Sequence, residues 1–179
     1  VSVPKVQFFS LRDQILMATV SARNEFLEHI SCDPKSVLQV PNVLLQDDTF
    51  ARSAIRSNAL CVLHVPKWRE NIDHVLFAVR VAPVLYMHLR PPFSKDPKIV
   101  HQAVQLNGLN LGSVPSRFRD DFDLVELAVM NNGKSLRYAS DRLRADDCII
   151  GKAVASVAES IEWALGPSDQ RVMQAIDCL

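Results

Sequence analysis

Residues 119–165, RDDFDLVELAVMNNGKSLRYASDRLRADDCIIGKAVASVAESIEWAL, carry one pattern twice. Asp121-Phe-Asp-Leu-Val-Glu-Leu-Ala-Val is answered 25 residues later by Asp146-Asp-Cys-Ile-Ile-Gly-Lys-Ala-Val. An internal period of this size is the mark of a repeat architecture, and it decides the fold before any single element does. The Ala-aliphatic pair serves as the marker. It recurs at Ala54-Ile55, Ala78-Val79, Ala103-Val104, Ala128-Val129, Ala153-Val154 and Ala175-Ile176, in steps of 24, 25, 25, 25 and 22. Seven residues before each Ala stand Asp47, Asn71, Asp96, Asp121, Asp146 and Ser168. All six accept hydrogen bonds from the unpaired N–H groups that open a helix. Pro97 after Asp96 fits the first helical position.

Counted from each cap, positions +3, +4, +7 and +8 are mostly apolar, as in Leu124, Val125, Ala128, Val129 or Ile99, Val100, Ala103, Val104. That spacing is one stripe of an amphipathic helix. The small Ala at +7 implies close approach of a neighbouring helix. Asn107-Gly108 and Asn132-Gly133 follow at +11 and +12. Both residue types tolerate the left-handed conformation that ends helices, so the first helix is expected to run about eleven residues. A shorter apolar segment comes next in each unit: Ala59–Val65, Val84–Leu89, Leu109–Val114, Leu136–Ala139 and Ile161–Leu165. Each is expected to form a second helix of one and a half to two turns, followed by a basic-acidic junction into the next cap. Such a unit cannot bury its stripe alone, so neighbours must stack.

These residues carry a resemblance. An acidic cap (Asp121), the pair Ala128-Val129, Asn132-Gly133, the segment Leu136-Arg137-Tyr138-Ala139-Ser140 and the junction Leu143-Arg144-Ala145-Asp146 resemble the helical repeat catalogued as domain of unknown function 4116. The resemblance is best over residues 96–165 and looser upstream to Asp47. Asn58-Ala59 and Ala82-Pro83 depart from it where Asn-Gly stands elsewhere. It implies an all-α repeat array and no activity.

The remaining stretches are read against this grammar. Residues 1–46 form an atypical N-terminal unit. Phe8-Phe9 leads in, Ser10 is the plausible cap of a long helix reaching Ile30, and Asp33-Pro34 restarts a helix that Pro41 stops. Residues 47–166 hold the regular repeats. In the last of these Val157-Ala158 replaces Asn-Gly, so its two helices are expected to be nearly continuous. Gly166-Pro167 stops it, and residues 167–179 form a terminal helix capped by Ser168. All of 1–179 is read as one α-helical repeat domain, an α-solenoid of short helical hairpins. The start at Val1 rather than Met implies a trimmed or processed chain, or a piece of a longer product.

Composition limits the function. There are 20 basic and 20 acidic residues, for a formal net charge of zero. Domains built to neutralise phosphate backbone are usually strongly basic, so nucleic acid is a less favoured partner. No apolar run approaches the ~18 residues of a membrane span. Four cysteines form no C-x-x-C pair; they read as buried thiols of an intracellular protein rather than zinc ligands. The acidic pairs Asp120-Asp121 and Asp146-Asp147 resemble catalytic carboxylates, but they recur at helix starts, as capping requires. The five histidines do not cluster, although His64 and His88 hold corresponding places. No nucleophile elbow, phosphate loop or dinucleotide fingerprint is present. No residue is assigned as catalytic, cofactor-binding or metal-ligating.

One constellation remains. Arg69, Arg119 and Arg144 stand two residues before a cap, and Lys67, Arg117 and Arg142 four before it. At repeat spacing these six form a basic ladder along one edge, a possible partner-binding stripe. The competing reading pairs each Arg with the Asp that follows it: Asp120, Asp146 or Asp147. The sequence favours a non-catalytic scaffold or accessory subunit that mediates protein–protein interaction within a larger assembly. The alternatives are a nucleic-acid-binding helical repeat and a regulatory repeat domain of a longer enzyme.

Overall fold

The structure is a computed structural model that describes residues 20–157 together with 160, 162 and 164. Among the described residues all regular structure is helical and there is no strand. The chain gathers into two compact units, Val1–Val81 and Ala82–Leu179. The expected features at Phe8-Phe9, Ser10, Gly166-Pro167, Ser168, Ala175-Ile176, the fourth cysteine Cys178 and the terminal helix lie outside the described residues.

In the first unit α1 (Val20–Cys32), α2 (Asn42–Leu45), α3 (Asp48–Ser57), α4 (Pro66–Arg69) and α5 (Ile72–Val81) are joined by the 3-10 helices η1 (Pro34–Gln39) and η2 (Ala59–Leu63). Helix α3 packs against both α1 and α5, and η1 against η2. In the second unit α6 (Pro97–Leu106), α7 (Ser116–Arg119), α8 (Phe122–Asn131), α9 (Asp141–Arg144) and α10 (Asp147–Ser156) alternate with 3-10 helices. These are η3 (Pro83–His88), η4 (Phe93–Lys95), η5 (Gly108–Ser113) and η6 (Gly133–Tyr138). Helix α8 packs against α6 and α10, and η5 against η3 and η6.

The caps explain where the ten-residue helices begin. Asp47 Oδ1 accepts from the Thr49 N–H, Asp96 Oδ1 from Lys98, Asp121 Oδ1 from Leu124 and Asp146 Oδ1 from Ile149, at 2.8, 2.9, 3.0 and 3.1 Å. Asn71 does the same for Asp73 at 2.9 Å. The apolar stripe is the core. Phe50, Ala51, Ala54 and Ile55 of α3 are buried, as are Ile99, Val100, Ala103 and Val104 of α6 and Leu124, Val125, Ala128 and Val129 of α8. Burying one such large aliphatic side chain contributes about 1.5–3 kcal/mol.

Three expectations need correction. Asn107 and Asn132 do not take the left-handed conformation: their φ values are −150° and −154°, with ψ of 104° and 107°. The N–H of each still bonds back to Ala103 or Ala128 O, and the side chain turns forward to cap η5 or η6. Asn58 behaves alike at φ −155°, and Ala82 at φ −139°. Because positive φ is not required, Ala59 and Pro83 can stand where Gly stands elsewhere. Glycine is present for space. A Cβ on Gly108 would lie 2.3 Å from Ala128 O, and one on Gly133 2.2 Å from Ala153 O. The expected close approach at the +7 Ala is therefore a contact between that residue's carbonyl and the glycine backbone.

Secondly, each junction holds a helical turn of its own. Helices α2, α4, α7 and α9 are four residues long, and each buries one large side chain: Leu44, Trp68, Phe118 and Leu143. Pro41, Pro66, Pro115 and Ser140 open these turns rather than merely stopping the element before. The sequence hid them because one buried residue in a single turn leaves no periodicity. Thirdly, the last described unit is not continuous. Val157 adopts φ −145° and ψ 111°, which ends α10 at Ser156.

Asp121→Ala and Asp146→Ala are each expected to lower unfolding free energy by about 1 kcal/mol through the lost cap. Gly133→Ala is expected to cost about 1–3 kcal/mol by overpacking. Urea unfolding measures all three, and unchanged midpoints would count against the cap and contact assignments.

Candidate interaction surface

The six basic residues of the ladder sit on three four-residue helices. Lys67 and Arg69 lie on α4 of the first unit. Both are exposed, and neither has a hydrogen bond or ion pair among the described residues. The other four belong to the second unit and are engaged. Arg117 Nη2 donates to Lys95 O at 2.7 Å, and its guanidinium covers the Phe118 ring at 4.5 Å. Arg119 Nε donates to Val114 O at 3.0 Å. Arg142 donates from Nε to Asp120 Oδ1 at 3.1 Å and from Nη2 to Asp120 O at 2.8 Å. Arg144 Nη1 lies 3.5 Å from Asp141 Oδ1.

The direction of these bonds differs from the pairing weighed on the sequence. Arg117 and Arg142 reach back 22 residues to the preceding junction, not forward to the next cap. Asp120 is therefore a receiver for the following junction. Its carboxyl is held below the usual carboxylate range by the Ser140 hydroxyl and then by Arg142. The Ser140 N–H adds a bond to Arg119 O at 2.8 Å. A comparable tie in the first unit uses an indole: Trp68 Nε1 donates to Leu45 O at 2.9 Å. Exposed ion pairs of this kind contribute little by themselves; their fixed spacing sets how consecutive junctions sit.

Two groupings were not legible in the sequence. His74 is only 4% exposed. It occupies the +3 core position held by Phe50, Ile99, Leu124 and Ile149 in the other ten-residue helices. Its Nε2 lies 2.7 Å from Asp48 Oδ1, its ring meets Trp68 edge-on at 6.3 Å, and its Nδ1 is buried without a partner among the described residues. A polar residue at +3 was the available signal. The second grouping is on the outer side of α3 and α5. Arg52 and Arg56 both approach the half-buried Phe77 ring, with guanidinium carbons 5.6 and 5.9 Å from its centroid. Arg52 and Arg56 are four apart on α3, hence neighbours on one face. What joins them to Phe77, 21 residues beyond Arg56, is helix pairing.

Among the described residues no group of three His, Cys, Asp or Glu side chains gathers as a metal site requires, and no helix is long and apolar enough to cross a membrane. Of the described cysteines, Cys32 and Cys148 are exposed and Cys61 is buried. The expectation of buried thiols therefore holds for Cys61 and is corrected for the other two. Burial pushes the Cys61 thiol up to about 12.

His74→Leu is expected to raise stability by about 1 kcal/mol, because it removes a buried nitrogen left without a partner, while Asp48 keeps its bond to Arg52. A lowered urea midpoint would contradict this. Thiolate is the form that alkylates, so near neutral pH iodoacetamide is expected to modify Cys32 and Cys148 while sparing Cys61. Peptide mass mapping reads the result, and equal labelling of Cys61 and Cys148 in the folded protein would overturn the burial.

No curated protein and no solved structure matches the chain. The model of the family described as Domain of unknown function (DUF4116) matches twice, over residues 96–144 and 123–164. The segment 96–164, within the second unit, is thus similar to that family.

Proposed function

We propose that this chain is a non-catalytic helical-repeat scaffold, or an accessory subunit, that binds other proteins within a larger assembly. The underlying architecture would be an α-solenoid with a unit of about 25 residues. The observation that carries this reading is the regular placement of equivalent parts. Ten-residue helices start at 48, 72, 97, 122 and 147, and each of the first four is followed by a 3-10 helix. Within the second unit, consecutive ten-residue helices pack together, and so do the consecutive 3-10 helices η5 and η6. Repeats of this kind present the same outward positions again and again, which makes extended surfaces for macromolecules.

The outward positions support protein as the partner. Val84, Met87, Leu109 and Met130 of the second unit are large apolar residues left exposed. Methionine is among the residue types enriched at protein interfaces. Much of the basic ladder, by contrast, is occupied by bonds within the chain, and the formal charge of zero offers little to a phosphate backbone.

Affinity purification of the native protein under mild conditions, followed by mass spectrometry, is expected to recover a fixed stoichiometric set of proteins. Recovery of nucleic acid that nuclease releases, or of no companion at all, would defeat the scaffold reading.

A further inference from the structure

We infer that Arg52, Arg56 and Phe77 in the first unit form a recognition site for a carboxylate side chain carried by an acidic, partly apolar segment of a partner protein. This rests on the scaffold reading and names the chemistry of one contact. Two guanidinium groups are drawn over a single aromatic ring, both within the ~6 Å range of a cation–π contact. They differ in compensation. Arg52 Nε donates to Asp48 Oδ2 at 2.8 Å, and the charge of Asp73 lies close enough to act on Arg52 as well. Arg56 is exposed and has no hydrogen bond or carboxylate among the described residues. Its planar fork of five N–H donors lies over the ring with no acceptor among the described residues.

Position strengthens the case. Arg56 stands nine residues after its cap Asp47, and Arg80 nine after Asn71. The two occupy the same place on the packed helices α3 and α5. Arg80 is also three residues from Phe77, so the two are neighbours on one face of α5. Asp48 and Asp73 sit at the N-terminal ends of these helices and Arg56 and Arg80 at the C-terminal ends. The strip is therefore dipolar, with Arg56 at its positive end beside an apolar ring. A guanidinium matches a carboxylate in two parallel hydrogen bonds. The neighbouring acids select against a continuous phosphate backbone, which would run from Arg56 towards Asp48. A single acidic residue followed by an apolar one fits the Arg56–Phe77 pair.

The test is the affinity of a fluorescein-labelled peptide of alternating Glu and Leu for the full chain, read by fluorescence anisotropy. Arg56→Gln is expected to weaken binding about tenfold, the loss of one charge-assisted contact. Phe77→Leu is expected to weaken it less. Lys98→Gln, which removes the same charge from an exposed site in the other unit, is expected to change nothing. Circular dichroism of each variant confirms an unaltered fold. The inference is overturned if the unsubstituted chain does not bind the peptide, or if Arg56→Gln binds as tightly as it does. It is equally overturned if Lys98→Gln weakens binding as much, or if a single-stranded RNA oligomer binds more tightly and loses more affinity on Arg56→Gln. The two readings fail separately. A stoichiometric partner set retained by Arg56→Gln sinks the site and leaves the scaffold, whereas a peptide bound without any native partner set sinks the scaffold.

Discussion

The carbonyl oxygen of Ala128 occupies the place where a side chain on Gly108 would stand, and that of Ala153 the place of one on Gly133. Much of the second unit depends on this backbone-to-backbone approach. It fixes the distance between one ten-residue helix and the 3-10 helix that precedes it. With that distance set, the Gly108 N–H reaches Asn131 Oδ1 at 2.8 Å, and Asn131 Nδ2 reaches Gln105 O at 3.1 Å. Gly133 N–H finds Ser156 Oγ at 3.2 Å in the next unit along. A larger residue at either glycine would separate the partners of these bonds. The physical constraint is steric, not conformational, because neither position requires positive φ.

The same approach accounts for the polar residues inside. Asn110 is buried, yet both protons of its amide are spent, on Pro83 O at 2.9 Å and Ala103 O at 3.0 Å. Ser135 is buried and donates to Asn132 O. Helix ends carry unpaired carbonyls, and short helices have many ends for their length. This fold places amide and hydroxyl donors inside its 3-10 helices, where they reach backbone carbonyls of neighbouring elements. His74 departs from the rule. It brings one nitrogen to Asp48 and leaves the other buried without a partner.

Surface charge follows from the same geometry. Arg117 and Arg142 are spent on the preceding junction, so these two rungs of the basic ladder in part fasten one junction to the next. Arg56 is different, since it stands over an aromatic ring with its donors open. A charge carries little information about binding until its intramolecular partners are known, and those partners come from neighbouring elements.

The sequence by itself determined the helical class, the caps at Asp47, Asn71, Asp96, Asp121 and Asp146, and the buried stripe behind each. These are local: a cap acts within three residues and a stripe is a periodicity of one helix. It also carried the resemblance over residues 96–165, because a repeat writes the same local rules more than once. Tertiary structure decided the rest. It turned Asn132-Gly133 from a supposed left-handed stop into an extended corner with a carbonyl against it. It made α7 and α9 helical, since their single buried residues, Phe118 and Leu143, gain their place only from neighbours. It sent Arg142 backward to Asp120, and it joined Arg52 and Arg56 to Phe77. Each of these depends on a contact across about twenty residues or more, and no property of the chain within one turn encodes which of the possible partners arrives.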